Sequence, residues 1–307
     1  MTSRSQDPGP GPHEGLDSTA RLMTLFAAQL HDGLRTVRPP AGRPPARLPA
    51  QAAAAPAGPV LVAVAHGSRD PRALRTVTAL LAAVRASRPG LRVELGHIEL
   101  SEPALPDTLA ALPAGREAVI VPLLFGRGHH VKHDIPQALA AAPHLRASVA
   151  APLAPHPLLA GALHARLLEA GWPPSSVPGE RDAVVLAAAG SRDPAPVAAA
   201  ESTAARLRER LGGGVPVLPA YASAARPSVA EAVSRLRADG HGRIAVASCF
   251  TAPGHFASLC AAEAPWIVSA PLGAHPLLAQ LVLHRFDEAR AAADRTGGNV
   301  SVPLVGA

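Results

Sequence analysis

The chain has 307 residues, a hydrophobic fraction of 48%, an aromatic fraction of 3% and a formal net charge of +6. Its two cysteines, Cys249 and Cys260, are too few for a disulfide scaffold, and their spacing matches no zinc or haem motif. Scattered arginines without aromatic platforms argue against a nucleic-acid partner. Without a signal peptide or an apolar run of roughly 20 residues, we expect a soluble cytoplasmic protein with no membrane partner.

Residues 1–57 are rich in Pro, Gly, Arg and Ala, a composition typical of a disordered leader. A stripe of apolar residues at 18–34 is compatible with one short amphipathic helix, to which we assign no role. The orderly pattern of a folded domain begins at about residue 58.

From there the pattern predicts alternating strands and helices. The apolar run Val60–Ala65 predicts a buried parallel strand, and Asp70 and Pro71 then open a helix that extends to about Ser87. Further strands are predicted at 91–100, 118–125 and 148–153, with helices that start near residues 102, 134 and 157. This βαβαβαβα order predicts a parallel sheet covered by helices on both faces.

A second unit repeats the first about 120 residues later. The segment from His66 to Pro71 returns as the segment from Ala189 to Pro194, and both contain Gly-Ser-Arg-Asp-Pro. An offset of this length indicates two tandem domains rather than a short-period solenoid. Strands are again predicted near residues 183–189, 215–221, 243–249 and 266–271.

The sequence therefore predicts an α/β protein with two tandem, doubly wound domains related by a pseudo-twofold axis, each with a four-stranded parallel sheet. Each domain is large enough to bury a core of its own. The predicted parts are a leader at 1–57, a first domain at 58–172, a linker at 173–182, a second domain at 183–292 and a tail at 293–307.

Polar side chains follow three consecutive strands of the first unit. His66 comes directly after the first strand, Glu99 lies near the end of the second, and His129 and His130 follow the third. Because parallel strands end at one edge of the sheet, we expect these side chains to converge there. Imidazoles with one carboxylate suit a divalent metal such as iron, cobalt, nickel or zinc, and can also accept protons near neutral pH. Singly each residue has an ordinary structural explanation; together they indicate a site.

The second unit has lost this set as a whole. The positions of His66, Glu99 and His130 are occupied there by Ala189, Ser223 and Phe256. Residues needed only for folding would be kept in both units, as Gly-Ser-Arg-Asp-Pro is. We therefore expect one active site, in the first unit.

Two pairs of histidines are kept in both units. His156 and His275 begin repeated His-Pro-Leu-Leu segments, and we expect them at helix starts or in packing. His129 is matched by His255, which points to a structural or positioning role for this pair. The choice between His129 and His130 as the site residue stays open at this stage.

These motifs resemble the sirohydrochlorin chelatase family, the class II chelatases that insert metal into early tetrapyrroles. Three segments carry the resemblance, 66–71, 98–103 and 128–136, in the family's order and spacing, within a likeness that covers about residues 59–290. The two-unit chain is similar to the bilobal members, in which the tetrapyrrole sits in a cleft between the lobes. The loop Phe125–Gly128 departs from the Pro-Gly turn that is more frequent in relatives.

The resemblance implies a lyase, a sirohydrochlorin ferrochelatase or cobaltochelatase of siroheme or cobalamin biosynthesis. It implies that His66 and His130 are metal ligands and that Glu99 helps to accept the pyrrole protons, so these three are the expected catalytic residues. Fe²⁺ or Co²⁺ would be a substrate, with no permanently bound cofactor. The donor set accepts both metals, so the choice stays open.

The other implied substrate, sirohydrochlorin, is a polycarboxylate tetrapyrrole that gives the basic charge of the chain a partner. The side chains expected to hold its carboxylates are Ser68, Arg69, Arg127, Lys132 and Arg192.

We expect a monomer whose tandem domains act as a pseudo-dimer. The alternative to a chelatase is a metal carrier or storage protein that uses the same histidines without chelatase turnover. A nucleotide-binding module is disfavoured because the turn after the first strand lacks the P-loop pattern.

Overall fold

The computed structural model describes residues 58–173 and 181–295. Outside the described residues lie the predicted leader at 1–57 with its helix, most of the predicted linker and most of the predicted tail. Within the two described ranges, no helix is both long and apolar enough to cross a membrane.

The first half follows the predicted order of strands and helices. Its strands are β1 (Val60–Ala65), β2 (Val93–His97), β3 (Glu117–Pro122) and β4 (Arg146–Val149). Its helices are α1 (Pro71–Ser87), α2 (Leu105–Ala110), α3 (Ile135–Ala140) and α4 (Pro157–Glu169), with a π-helical turn at His130–Asp134 before α3. The strands pair in parallel in the order β2-β1-β3-β4, which confirms the predicted parallel sheet.

The second half repeats this plan with a shorter sheet. Its elements are β5 (Asp182–Ala188), α5 (Pro194–Arg210), β6 (Val217–Tyr221), α6 (Val229–Ala238), β7 (Arg243–Ser248), α7 (His255–Ala262) and α8 (Pro276–Arg295). Within residues 181–295 the strand order is β6-β5-β7, and the predicted fourth strand is reduced to one parallel bridge between Val246 and Val268. The ladder stops because the Ser248 backbone N–H donates to the side-chain hydroxyl of Ser269 over 2.9 Å.

The repeated Asp-Pro sequences start helices as predicted. Asp70 precedes α1 and accepts a hydrogen bond from the backbone N–H of Arg72 over 2.9 Å. Asp193 precedes α5 and accepts from the backbone N–H of Ala195 over 3.0 Å. Each carboxylate satisfies one of the free N–H groups of the first helical turn.

The repeated histidines also start helices, as predicted. Nδ1 of His156 accepts from the Leu158 N–H over 3.1 Å at the start of α4, and Nδ1 of His275 accepts from the Leu277 N–H over 3.2 Å at the start of α8. An imidazole nitrogen accepts only while it is unprotonated. Burial lowers the pKa of His156 to about 4, which keeps it unprotonated at neutral pH.

The apolar residues form two outer cores and one inner core. On the outer face of the first sheet, α2, α3 and the π-helical turn cover alternate residues of the strands. On the outer face of the second sheet, α6 and α7 do the same. The inner faces of both sheets belong to one continuous cluster, which includes residues of α1, α4, α5 and α8.

The inner core is continuous because the halves exchange their last helices. Helix α4 of the first half packs against α5 and β7, whereas α8 of the second half packs against α1, β3 and β4. Phe286 in the middle of α8 is 1% exposed, and next to it Asp287 receives two hydrogen bonds, of 2.6 and 2.7 Å, from Arg88. The two halves therefore share one core at their inner faces, in addition to the core on each outer face, and the predicted domain boundaries stay a prediction.

Cys249 and Cys260 are free thiols, and both are buried. Burial raises the pKa of Cys249 to about 12 and that of Cys260 to about 11. Neither is a thiolate at neutral pH, and only a thiolate is a good nucleophile or metal ligand. Their burial as free thiols is typical of structural cysteines.

We predict that Phe286→Ala destabilises both halves together. Loss of a fully buried phenylalanine costs about 3–5 kcal/mol of unfolding free energy, and α8 joins the two sheets through one core. Denaturant unfolding followed by circular dichroism and by fluorescence of Trp172 and Trp266 should give coincident, shifted transitions. Leu168→Ala, at a half-exposed position of α4, is the control and should cost less than about 1 kcal/mol. Two separate transitions would contradict the shared core.

Candidate active site

The first sheet opens at the carboxyl end of its central strand. β1 lies between β2 and β3, so the loops after these three strands are neighbours at the carboxyl edge, where open parallel sheets have a ligand-binding crevice. His66 directly follows β1, Glu99 comes two residues after β2, and His130 begins the π-helical turn after β3. The structure thus places the three predicted site residues on adjacent loops at one edge.

A tight turn holds the first two of these loops together. Gly67 has a φ of +99°, and a Cβ at this position would lie 1.6 Å from the carbonyl oxygen of Glu99. The backbone N–H of Glu99 donates to the carbonyl oxygen of His66 over 3.0 Å. Only glycine permits both the positive φ and the close approach. The glycine therefore allows the loops that carry His66 and Glu99 to lie in direct backbone contact.

The three side chains meet in the crevice. Nε2 of His66 lies 3.5 Å from Oε1 of Glu99. The ring centroids of His66 and His130 are 4.8 Å apart, and the two rings are nearly perpendicular. The side chains of His66, Glu99 and His130 are 43%, 50% and 31% exposed, so a ligand can reach all three.

Asp134 orients His130 and was missed by the sequence analysis. Nδ1 of His130 lies 2.5 Å from Oδ2 of Asp134. A carboxylate accepts, so the N–H is on Nδ1 and the lone pair of Nε2 is free, the arrangement of many metal-binding histidines. The sequence signal for this contact was the four-residue spacing of His130 and Asp134, which places two side chains on the same face of a helical turn.

His129 points elsewhere. Its side chain is 73% exposed, its Nε2 comes no closer than 3.8 Å to Asp134, and its ring packs against that of His133 at a centroid distance of 4.6 Å. It is the ring of His130 that contacts His66. Of the two candidates, the structure brings His130 to the other site residues.

The geometry makes the crevice attractive to a cation. Nδ1 of His66 lies 3.3 Å from the carbonyl oxygen of Gly67, which can only accept a hydrogen bond; an N–H on Nδ1 leaves Nε2 as an acceptor, 3.5 Å from Oε1 of Glu99. Two facing acceptors favour a metal ion or a proton between them. Across the described residues, no group of three or more His, Cys, Asp or Glu side chains forms a ready metal cage.

The equivalent edge of the second half keeps the backbone but carries none of this chemistry. The Ser223 N–H donates to the carbonyl oxygen of Ala189 over 3.0 Å, and a Cβ on Gly190 would lie 1.9 Å from the Ser223 carbonyl oxygen. The Ser223 hydroxyl also donates to Ala189, over 3.1 Å. Phe256 is exposed at the place of His130. The second half thus has the same turn but no imidazole or carboxylate at these three positions; its histidine at this edge is His255, the match of His129.

Ser68, one of the predicted substrate-binding residues, has a role in its own turn. Its hydroxyl accepts from the Asp70 N–H over 3.1 Å, and Ser191 does the same for Asp193 over 3.0 Å in the second half. This common backbone role explains why the serine is present in both units.

The predicted basic residues differ in their surroundings. Arg69, Arg127 and Arg192 are exposed, and within the described part of the chain their guanidinium groups make no hydrogen bond or ion pair. Lys132 instead forms an ion pair with Asp193 of the second half, and this bond is the largest cause that lowers the pKa of Asp193. Lys132 therefore already has an anionic partner, which was not expected from the sequence.

Comparison with known proteins places both halves in one family. Residues 60–170 and residues 183–289 each match the CbiX family model. The chain belongs to the CbiX family. The resemblance to sirohydrochlorin chelatases and the duplicated α/β architecture inferred from the motifs are thereby confirmed.

Named relatives and a solved structure agree with this assignment. The chain is 29% identical over 182 residues to the sirohydrochlorin ferrochelatase of Bacillus subtilis (strain 168), a match that covers 57% of this chain and 67% of the relative. It is 35% identical over 81 residues to the sirohydrochlorin cobaltochelatase of Methanococcus aeolicus, covering 26% of this chain and 57% of that protein. The structure of SirB from Bacillus subtilis with Fe³⁺ superposes with a TM-score of 0.61 at 26% identity, over 78% of this chain and 98% of SirB.

We predict that Gly67→Ala is much more costly than Gly90→Ala. Both glycines have positive φ, so each alanine carries the left-handed penalty of roughly 1–2 kcal/mol. Only at Gly67 does the new Cβ also collide with a backbone oxygen, that of Glu99; at Gly90 nothing lies within 4 Å. Denaturant titration of the two variants measures the difference in unfolding free energy. Equal losses would show that the turn does not depend on this close contact.

Proposed function

We propose that this CbiX-family protein is a sirohydrochlorin chelatase that inserts Fe²⁺ or Co²⁺ into sirohydrochlorin. The observation that carries the proposal is the meeting of two imidazoles and one carboxylate, His66, His130 and Glu99, at the open edge of the first sheet. The names of the relatives, a ferrochelatase and a cobaltochelatase, support the same reaction class.

The proposed reaction exchanges two pyrrole N–H protons for one divalent metal ion. Nε2 of His66 and Nε2 of His130 hold the ion and leave its other coordination positions open to the pyrrole nitrogens. Asp134 keeps the proton of His130 on Nδ1, so that the metal-facing nitrogen stays available. Glu99, beside His66 and half exposed, accepts the pyrrole protons and passes them to solvent.

The metal is a substrate of this reaction, not a resident cofactor. Two neutral imidazoles with one flanking carboxylate give fewer protein ligands than the three or four of permanent zinc sites. Such a set binds an ion and still releases it to a stronger chelator. Imidazole accepts both iron and cobalt, so a direct comparison of turnover with the two metals assigns the preference.

The exposed arginines are the proposed contacts for the carboxylates of sirohydrochlorin. Arg69 and Arg127 flank the site in the first half, and Arg192 lies in the equivalent turn of the second half. Guanidinium groups bind carboxylates with two parallel hydrogen bonds. Ser68 and Lys132 are weaker proposals, because each already serves an internal contact.

The two halves are proposed to contribute unequally to one site per chain. The first half supplies the metal ligands and the proton acceptor, whereas the second supplies shape and positive charge. Loops of the two halves do meet beside the site: a Cβ on Gly254 would lie 3.6 Å from Oγ of Ser68. A monomer therefore suffices for the proposed reaction.

We predict that His66→Ala and His130→Ala each lower metal insertion at least about 100-fold, because each removes a ligand at the reacting ion. Insertion is followed by the change in absorbance of sirohydrochlorin under anaerobic conditions. His255→Ala, in the second half, is the matched control and should keep wild-type turnover, with circular dichroism as a check on folding. Co²⁺ binding without any turnover in the wild-type protein would instead support the carrier alternative.

We predict that Arg69→Gln, Arg127→Gln and Arg192→Gln each raise KM for sirohydrochlorin by about 3- to 10-fold, with a smaller effect on kcat. Higher salt should raise the wild-type KM because it screens exposed charges. Arg237→Gln, on the outer helix α6, is the control for loss of net charge. If Arg237→Gln raises KM as much as the others, the effect comes from overall charge and not from these contacts.

A further inference from the structure

The segment that carries His130, residues 126–132, packs closely against the second half of the molecule. A Cβ on Gly126 would lie 2.6 Å from Cα of Pro196 in α5, and one on Gly128 would lie 3.3 Å from the Pro196 side chain. Neither glycine has a φ in the left-handed region. The requirement for glycine at these positions is therefore close approach between the halves, not backbone conformation.

An ion pair also joins this segment to the start of α5. Lys132 lies two residues after His130 in the π-helical turn, and its ammonium group contacts Oδ2 of Asp193. Asp193 is itself held in place, because its N–H donates to Ser191 over 3.0 Å and its Oδ1 accepts from the Ala195 N–H over 3.0 Å. One carboxylate oxygen caps α5 and the other is left for Lys132.

The equivalent aspartate of the first half does not reach across. Asp70 also caps its helix, but its carboxylate is engaged by the guanidinium of Arg72 on the same helix, with bonds of 2.7 to 3.1 Å. The retained motif thus has a local role in the first half. In the second half it has the same local role and an additional contact with the His130 segment.

We propose that Asp193, through Lys132, is a positioning residue that holds His130 beside His66 for metal binding. This inference rests on the proposed function of His130 as a ligand. It also gives a reason why the second half has Gly-Ser-Arg-Asp-Pro although it lacks a histidine at the start of the motif. The motif supports the segment of the first half that carries His130. Pro196, in the first turn of the helix that Asp193 caps, adds to this support by its contact with Gly126 and Gly128.

Two substitutions isolate the charge contact. Asp193→Asn keeps a good helix cap and removes the charge, and Asp70→Asn makes the same change at the equivalent cap. Titration with Co²⁺, followed by its visible absorption, should show affinity reduced about 2- to 5-fold by Asp193→Asn and by Lys132→Gln, the range for a partly exposed ion pair. The double variant should lose no more than either single one, and Asp70→Asn should bind like wild type.

A third substitution tests the close packing. Gly126→Ala places a methyl group against Pro196 and should weaken Co²⁺ binding more than the charge variants do. Gly242→Ala is the control, since nothing lies within 4 Å of that position and its φ is ordinary. Wild-type Co²⁺ affinity in Asp193→Asn, Lys132→Gln and Gly126→Ala together would overturn the proposal.

The imidazole nitrogen resonances of His130 in the metal-free protein give a readout that does not depend on the reaction. They are assigned by their loss in His130→Ala, and they should shift in Asp193→Asn and stay unchanged in Asp70→Asn. If His130→Ala binds Co²⁺ like wild type, the ligand role of His130 fails, and these resonances alone decide the positioning role. Resonances unmoved by Asp193→Asn would overturn it.

Discussion

The arrangement of the whole molecule depends on the inner apolar core that the two repeats share. Helix α4 leaves the first repeat to pack on the second sheet, and α8 returns from the second repeat to pack on the first. Neither sheet can cover its inner face with its own repeat alone. Because burial of this surface is the main source of stability, the two halves are held in one fixed relation. The loops at their carboxyl edges are consequently brought within contact distance of each other.

Within this frame, one turn serves several purposes. Gly67 and Gly190 make the same close contact with the following loop, and Asp70 and Asp193 cap the same helix. In the first repeat the turn also sets His66 beside Glu99. In the second repeat it has lost those side chains and meets the segment that carries the other histidine. On the proposed function, one copy keeps the metal-binding side chains and the other keeps the turn that contacts them.

Much of the fold and the centre of the site could be predicted from local patterns. Apolar runs marked the strands, Asp-Pro marked helix starts, and the joint absence of three side chains from the second repeat singled out His66, Glu99 and His130. These features depend on short segments or on the comparison of the repeats. A further strand near residue 268 was predicted on the same grounds. The structure has only a single bridge there, because the backbone N–H of Ser248 donates to the hydroxyl of Ser269 instead of to a backbone carbonyl.

What the sequence did not predict depends on packing between distant segments. The exchange of α4 and α8 leaves no local signature, since the apolar residues of a helix show that it is buried but not which sheet it covers. The contact of Lys132 with Asp193 joins residues 61 positions apart, in different repeats. Asp134 lies only one turn from His130, but its contact with that residue became informative only when the structure showed that His130, and not His129, faces His66.

On the proposed function, the first repeat alone holds the metal, through two imidazoles at the open edge of its sheet. X-ray absorption at the cobalt edge, on protein loaded with Co²⁺ and freed of excess ion, is the decisive measurement. We expect one ion per chain, with the outer-shell scattering of two imidazole rings and with oxygen as the remaining ligands. Two equivalent ions per chain, or a bound ion without imidazole scattering, would contradict it.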